Sequence, residues 1–275
     1  MHRTLCALTI AFAAVLGAFA PTNGAHAQTG AVPAEAVKEL TPTGKLRAAI
    51  NLGNSVLAQK AASGELGGVT VELARELGKR IGVTVELIPY QAAGRVFAGL
   101  KTNEWDIAFI AIEPVRAAEI DFSPPYVIIE GAYMVPKDSP LKVPADVDRP
   151  GIRIGVGLNS AYDLYLTRTI KHATIVRAKV GGGQASIDLF HEQKLDAAAG
   201  VRQPLDAHAK ANPNVRVMEQ RFMEIQQAMA TPKGRALAAR YLRTFVEEMK
   251  ASGFVAAALA RSNQSAATVA PPATN

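Results

Sequence analysis

The hydrophobic positions between residues 45 and 261 follow two periods. Apolar residues at every second position, or in short unbroken runs, predict strands. These strands cover 45–50, 83–88, 106–112, 127–135, 152–156, 174–177, 195–199, 215–218 and 225–230. Apolar residues at every third or fourth position predict helices between them. These helices cover 69–81, 92–101, 161–171, 184–193, 203–210, 233–250 and 254–261.

The helix 69–81 has the clearest pattern. Apolar residues recur every four positions from Val69 to Ile81 and form one buried stripe, and Gly82 ends the helix. Because strands alternate with helices along the chain, the sequence predicts an α/β fold with largely parallel sheets.

The order of these elements predicts two lobes joined by two crossing strands, a clamshell. The apolar runs 127–135 and 225–230 are predicted to cross from one lobe to the other. The first lobe is expected to cover 44–131 and 222–261, and the second 132–221. Residues 28–43 are rich in Ala, Pro, Thr and Gly and predict a flexible leader, and the small, polar segment 262–275 predicts a disordered tail.

The first residues have the pattern of a secretion signal. A short positive start precedes the unbroken apolar run Leu5–Ala20, and residues 25–27 offer small side chains at the two positions that a signal peptidase reads. The sequence therefore predicts a signal peptide over 1–27, cleavage before Gln28 and a periplasmic location. The run is short for a membrane span, although a retained anchor stays open as an alternative.

Charge and cysteine content narrow the function further. The formal net charge is +6, but the basic residues are scattered among acids, so we expect no nucleic-acid partner. Cys6 is the only cysteine, and it lies in the predicted signal peptide, so the mature chain has no disulfide. His172, His191 and His208 are far apart in the sequence, and we expect no metal site and no cofactor.

One segment carries candidate binding chemistry. In Ala111–Tyr126, a predicted buried strand is followed by a short helical turn with Arg116, and the chain returns to the core through Ile120 and Phe122. The segment resembles the ligand-anchoring signature of the bacterial family 3 solute-binding proteins, the extracytoplasmic receptors of amino-acid-type ABC importers. The resemblance extends from Leu46 to about Ala260. It implies a type II periplasmic-binding-protein clamshell, a monomer, and an ABC permease in the inner membrane as partner.

The resemblance implies that Arg116 binds a carboxylate of the solute. A guanidinium is planar and can donate two parallel hydrogen bonds to a carboxylate. Backbone amides of Ala111 and Ile112 are expected to face the same cleft. Glu113 is either the cap of the following helix or an acceptor for a ligand cation. The alternative for Arg116 is a surface charge paired with Glu113 or Glu119.

Turns on both sides of the predicted cleft supply further candidates. The start of the helix after Ser160 offers free amides that favour a bound anion, although an ordinary helix cap explains the residue equally well. A glycine run at 181–183 forms another backbone-rich turn. The ligand-binding candidates from these turns and from the loop 51–54 are Asn54, Ser160, Ala161, Tyr162 and Gly182.

The chain departs from the family pattern after the strand 195–199. Family members that bind amino acids carry an aspartate there for the ammonium group, whereas this chain has Val201, followed by Arg202. We expect both residues at the ligand, with Arg202 attracting a second carboxylate or serving as a surface charge. The expected function is therefore a receptor for a small carboxylate-bearing solute, either an amino acid or a related organic acid. Alternatives are a secreted dehydratase-like enzyme with Glu113 as acid or base, or a ligand sensor.

Overall fold

A computed structural model of the protein describes residues 32–179 and 181–274. The predicted signal peptide lies outside these residues. The helices are α1 (Ala34–Leu40), α2 (Val69–Ile81), α3 (Ala93–Ala98), α4 (Pro114–Ala117), α5 (Ala161–Thr169), α6 (Gly183–Glu192), α7 (Arg202–Ala211), α8 (Ala236–Ala251) and α9 (Phe254–Arg261), with a 3-10 turn at Pro144–Asp146. Over the described ranges, we find no helix with both the length and the apolar character needed to cross a bilayer.

Most strands of the described residues join one sheet. The strands are β1 (Leu46–Asn51), β2 (Gln59–Lys60), β3 (Leu66–Gly67), β4 (Val85–Tyr90), β5 (Ile107–Ala111), β6 (Ile120–Pro136), β7 (Arg153–Gly157), β8 (Thr174–Ala178), β9 (Ala197–Val201), β10 (Val215–Val217), β11 (Met223–Pro232) and β12 (Thr268–Val269). The sheet order is β4-β1-β5-β11-β6-β9-β7-β8, with β10 and β12 also paired to β6, while β2 and β3 form a separate hairpin. Strands β1, β4 and β5 run parallel at one end, and β7, β8 and β9 run parallel at the other.

The position of β5 inside the sheet explains why its sequence is one apolar run. Ile107 and Phe109 pack in the core cluster that includes α2 and α8. Ala108 and Ile110 point to the opposite face and pack with Trp105. Because helices cover both faces of the sheet, a strand in its middle is apolar at every position.

The long strands β6 and β11 connect the two lobes. They pair with each other along most of their length, and β6 pairs with β9 of the second lobe beyond that point. Gly131 of β6 lies opposite both Met223 and Val201, and a Cβ atom there would be 2.6 Å from Cγ of Met223. The glycine therefore lets the strands approach closely where the chain passes between lobes. The lobe limits 44–131, 222–261 and 132–221 stay a prediction.

The prediction of a flexible leader over 28–43 is wrong for Ala34–Leu40, which forms α1. Ala36 and Leu40 are buried. The helix is also held by Glu39, whose carboxylate accepts a hydrogen bond of 2.8 Å from the amide of Ala238 at the start of α8. These contacts are with residues some 200 positions away in the sequence, so local composition did not reveal them.

The prediction of a disordered tail over 262–275 is also wrong in part. Thr268 and Val269 form β12 against β6. Ala267 and Ala270 are buried, and the amide of Ala270 donates to the carbonyl of Tyr126 at 3.1 Å. Small residues give a weak periodic signal, yet they fit closely against an existing sheet edge.

Candidate functional site

A cavity of about 40 Å³ lies where the two lobes meet. It is located at the carboxyl ends of β1, β5, β7 and β9, the edge at which ligand groups gather in parallel sheets. The starts of α5 and α6 face the turn after β1 and the end of β5 across it. The lining residues are Asn51, Gly53, Asn54, Ala93, Ala111, Arg116, Leu158, Ser160, Ala161, Tyr162, Gly182, Gly183, Val201, Pro204, Ile225 and Gln227.

Arg116 lies at the centre of this arrangement. Pro114 occupies the first position of α4, where a missing amide hydrogen costs nothing, and the turn directs Arg116 into the cavity. Its Nη1 donates to the carbonyl of Ala111 at 2.9 Å, and its Nη2 donates to the carbonyl of Asn159 at 2.9 Å. Asn159 belongs to the second lobe, so the guanidinium joins both lobes.

The environment of Arg116 is dry. The residue is 1% exposed, and burial lowers the pKa of its guanidinium to about 10, with the charge of Glu113 opposing that shift. The group is therefore still a cation at neutral pH. Only two of its five N–H donors have partners among the described residues. Neither partner is a carboxylate, so the charge of this buried group is compensated incompletely.

Glu113 has the cap position that the sequence suggested, but it has no place in the cavity lining. It occupies the N-cap position of α4 but makes no side-chain capping bond. Its carboxylate accepts a hydrogen bond of 2.5 Å from Nη1 of Arg168, and its side chain is 2% exposed. Arg168 lies on α5, so this ion pair also crosses between the lobes. The carboxylate does not line the cavity, and it is not available there as an acid, a base or an acceptor.

The start of α5 combines a helix cap with a surface of the cavity. Oγ of Ser160 accepts from the amide of Asp163 at 3.0 Å, which confirms the expected cap. The amide of Asn159 in turn donates to the Asp163 carboxylate at 2.7 Å. Tyr162 donates weakly to the carbonyl of Gly182 at 3.5 Å, and burial raises the pKa of its phenol to about 12. The hydroxyl is therefore neutral at physiological pH.

Glycines line much of the contact between the lobes. The amide of Gly183 donates to the carbonyl of Gly53 across the cleft at 3.1 Å. A Cβ atom on Gly94 would lie 2.7 Å from Cβ of Asn159, closer than such atoms pack. We call this contact the glycine seam; its members are Gly53, Gly94, Gly181, Gly182 and Gly183. The seam lets main-chain atoms of the two lobes meet.

The end of β5 faces the cavity with Ala111 but not with Ile112. The carbonyl of Ala111 accepts from Arg116, and its side chain lines the cavity. The amide of Ile112 donates to the carbonyl of Gln226 on β11 at 2.9 Å. Sheet pairing therefore uses the donor that we had expected at the ligand.

The structure separates Val201 from Arg202. Val201 is 7% exposed and lines the cavity. Arg202 points away from it, because its Nε donates to Oε2 of Glu130 at 2.5 Å and its Nη atoms donate to the carbonyls of Met218 and Glu219, each at 2.9 Å. The expectation that Arg202 attracts a second ligand carboxylate does not agree with this geometry. Its guanidinium instead joins the start of α7 to the crossing strand β6.

The sequence that forms this cavity matches a known protein family. The model of the bacterial extracellular solute-binding proteins, family 3, matches residues 46–262. The chain belongs to this family. The match spans nearly all of the described residues, and it confirms the family and the two-lobe α/β fold that the sequence predicted.

Individual relatives of this family 3 protein are binding proteins. The L-cystine-binding protein TcyJ of Escherichia coli K12 is 28% identical over 193 residues, which cover 69% of this chain and 71% of the relative. Two solved structures show the same fold. The solute receptor for L-cysteine of Neisseria gonorrhoeae has a TM-score of 0.71 at 23% identity, covering 82% of this chain and 92% of the receptor. An ancestral amino acid-binding protein, a precursor of cyclohexadienyl dehydratase, has a TM-score of 0.68 at 23% identity, covering 82% and 98%.

Half of the residues that line the cavity of this family 3 protein were not predicted from the sequence. The clearest signal was available on the crossing strand β11, where Gln227 interrupts an apolar run and is 5% exposed. A buried amide on such a strand indicates that the strand passes under a polar cavity. The lining residues that we had not selected are Asn51, Gly53, Ala93, Leu158, Gly183, Pro204, Ile225 and Gln227.

Two histidines that are distant in the sequence lie side by side in the family 3 protein. Nε2 of His191 on α6 and Nε2 of His208 on α7 are 2.9 Å apart. Their separation in the sequence therefore did not reveal that these two side chains lie in contact. Within 32–179 and 181–274, no group of three His, Cys, Asp or Glu side chains is arranged to hold a metal ion.

Proposed function

We propose that this family 3 protein is the extracytoplasmic receptor of an ABC importer. It captures a small carboxylate-bearing solute between its lobes and delivers the solute to a permease in the inner membrane. The single observation that carries the proposal is the buried guanidinium of Arg116 in the interlobe cavity, without a carboxylate partner among the described residues.

The electrostatics of the cavity support a carboxylate ligand. A cation buried without an opposite charge is costly, and an anion placed beside it removes that cost. The start of α5 adds a second attraction, because the first amides of a helix have no partners within the helix and carry partial positive charge. Arg116 and the first turn of α5 lie on opposite lobes, so a carboxylate between them binds both.

Capture of the solute also explains the contacts between the lobes. Arg116 contacts the second lobe through Asn159, and Glu113 contacts it through Arg168. Both contacts form only when the lobes are together, so they stabilise the shut arrangement. Closure is then a hinge motion around the crossing strands β6 and β11, with Gly131 at the crossing.

The site assignment is tested by calorimetry on Arg116→Ala. Bound small molecules are first removed by unfolding and dialysis, and the refolded protein is titrated with the carboxylate that native mass spectrometry identifies in fresh preparations. Losing a charge-assisted hydrogen bond pair in a dry site costs about 3 kcal/mol, roughly a hundredfold in affinity.

The matched control is Arg75→Ala. Arg75 is exposed, and its Nη2 lies 3.8 Å from Oε1 of Glu65, which is too far for a strong ion pair. The control should bind like the wild type. Equal affinity for wild type and Arg116→Ala would refute the site, and a copurifying molecule that has no carboxylate would refute the carboxylate ligand.

The periplasmic location and the permease form a separate part of the proposal. N-terminal sequencing of the protein from the periplasm is expected to begin at Gln28. Solute uptake by membrane vesicles should require the added protein and should show saturation with it. Uptake that is independent of the protein would refute the importer role without affecting the binding site.

A further inference from the structure

The cavity contains one charged side chain among its described lining residues, and that side chain is a cation. Arg116 is the only Lys, Arg, Asp or Glu in the lining. The adjacent buried carboxylates are held elsewhere. Glu113 pairs with Arg168 at 2.5 Å, and Asp163 pairs with Arg177 at 2.9 Å. The first acidic positions beside the cavity are therefore already neutralised by arginines.

Three backbone acceptors beside the cavity are also occupied. The carbonyl of Ala111 accepts from Arg116, that of Gly182 accepts from Tyr162, and that of Gly53 accepts from Gly183. A ligand ammonium group has three N–H donors and needs acceptors, ideally a carboxylate. These three carbonyls offer it only their second lone pairs.

The amide side chains of the cavity present donors more readily than acceptors. Oδ1 of Asn54 accepts from the amide of Val56 at 3.3 Å, and Oδ1 of Asn51 accepts from the amide of Gly53 at 3.0 Å. Their NH₂ groups are the unused ends. Gln227 makes no side-chain hydrogen bond within the described residues, so its NH₂ group and its Oε1 are both unused. Among these amides and Arg116, the cavity therefore offers more unused donors than unused acceptors, and none of the acceptors is charged.

The side chains at the end of β9 and the start of α7 also offer no acceptor to an ammonium group. Val201 lines the cavity with an apolar side chain, and Arg202 is committed to Glu130 outside it. An amino acid would place its ammonium group in this cavity close to the guanidinium of Arg116. No carboxylate lines the cavity to balance that second positive charge, and such an uncompensated charge is unfavourable in a dry site.

We propose that the solute is a small carboxylate with an oxygen, and not an ammonium group, on the carbon next to the carboxylate: a 2-oxo or 2-hydroxy acid. The inference rests on the proposed function, because it assumes that Arg116 binds the carboxylate. The keto or hydroxyl oxygen then accepts from the amide NH₂ groups of Asn54 or Gln227. The cavity volume of about 40 Å³ suits a compact molecule. At roughly 10–15 Å³ of such volume per water molecule, it holds about three waters.

The test compares ligands that differ only at that carbon. Refolded, small-molecule-free protein is titrated by calorimetry with pyruvate, L-lactate and L-alanine, and with the smaller series glyoxylate, glycolate and glycine. We expect an oxo or hydroxy acid of at least one series to bind ten times or more tighter than its amino acid.

The outcomes separate the two proposals. An amino acid that binds as tightly as or tighter than its oxo and hydroxy counterparts, with the affinity lost in Arg116→Ala, overturns this inference and leaves the carboxylate receptor standing. Failure of all six compounds to bind up to 10 mM, with the fold intact by circular dichroism, overturns this inference, while the carboxylate receptor is decided separately by titrating the copurified solute into wild type and Arg116→Ala.

A second arm changes the cavity and not the ligand. Val201→Asp supplies the missing counter-charge, so it should raise the affinity for the amino acids tenfold or more and lower that for the oxo acids. Val201→Asn has nearly the same shape without the charge and should not raise amino-acid affinity. If Val201→Asp folds and the preference does not move toward the amino acid, the placement of the ligand's second carbon near Val201 is wrong and the inference fails.

Discussion

At the scale of single residues, the partners of a guanidinium decide its role. Arg116 and Arg202 both follow the end of a strand at the start of a helix, and both are largely buried. Arg116 has two carbonyl partners and faces the cavity. Arg202 has a carboxylate and two carbonyl partners and faces the crossing strand. Among these two, only Arg202 has its charge compensated by a carboxylate of the described chain. We therefore expect Arg202 to stabilise the fold and not to bind the solute.

Replacing Arg202 should affect stability and not binding. In Arg202→Met, the hydrogen bonds to Glu130 and to the carbonyls at 218 and 219 are lost. We expect the free energy of unfolding to fall by about 1.5–3 kcal/mol, because hydrogen bonds to charged groups are worth about that much. Urea unfolding measures the loss, and calorimetry should give a dissociation constant within a factor of three of the wild type. A tenfold weaker affinity would return Arg202 to the binding site.

The ion pair between Arg202 and Glu130 predicts that the stability of the fold depends on pH. Burial acts to raise the pKa of the Glu130 carboxyl, but the hydrogen bonds from Arg202 and Arg221 outweigh it and hold the pKa below its ordinary value. A carboxyl with a lowered pKa in the folded state contributes stability that is present above the unfolded value of about 4.3 and is lost as the pH falls through the folded value. Between pH 5 and pH 3, Glu130→Gln should therefore lose less stability than the wild type. An identical acid-side slope for both would contradict this.

The sequence could predict some site residues and not others, for a definite reason. Arg116 was predictable because a local signature surrounds it. The pairing of Glu113 with Arg168 spans 55 positions, and that of Arg202 with Glu130 spans 72. Periodicity reports which face of an element is buried, but it carries no information about which distant side chain meets a charge.

At the scale of elements, the bounds of a helix were predicted best where apolar residues recur on one face over two or more turns. Residues 69–81 and 254–261 were predicted as helices with the bounds that the structure has. The strand predicted at 195–199 is found at Ala197–Val201 because its run of alanines marks no clear end. The helix α1 and the strand β12 were missed, since both are short and depend on contacts with elements far along the chain.

Removal of the C-terminal strand tests its contribution. A chain that ends after Gln264 lacks β12 and the buried Ala267 and Ala270. We expect its free energy of unfolding in urea to be lower by about 1–3 kcal/mol, because two buried side chains and several main-chain hydrogen bonds are lost.

The control is a chain that ends after Pro272, which keeps β12 and removes residues 273–275, of which Ala273 and Thr274 are exposed. It should unfold like the full chain. Equal stability of all three chains would mean that the strand pairing contributes nothing measurable.

At the scale of the whole molecule, the two lobes belong to one sheet and also meet across the glycine seam. The sheet connects them through β6 and β11, and the seam adds contacts beside the cavity, which Gly53, Gly182 and Gly183 line. A substitution at the seam should therefore disturb the meeting of the lobes without disturbing either lobe.

Gly94→Ala separates these effects. The added methyl group would lie 2.7 Å from Cβ of Asn159 on the other lobe, so the lobes must stay further apart. Within α3, alanine is the better helix former by about 1 kcal/mol, and the folding of the first lobe should not suffer. We expect ligand affinity to fall tenfold or more, with a larger radius of gyration by small-angle X-ray scattering in the presence of ligand.

The matched control for the seam is Gly67→Ala on β3, where no atom lies within 4 Å of the added methyl group. This variant should bind and scatter like the wild type. Wild-type affinity in Gly94→Ala would mean that the lobes do not approach through the seam when they bind the solute.

The glycine seam also makes the molecule adjustable. A Cβ atom on Gly181 would meet Cβ of Ala92 at 2.5 Å, and neither residue lines the cavity. Alanine, serine and valine at this position would form a graded series of spacers. Such a series would set the strength of capture step by step while leaving selectivity unchanged, which is the property required of a calibrated set of biosensors built from a single scaffold.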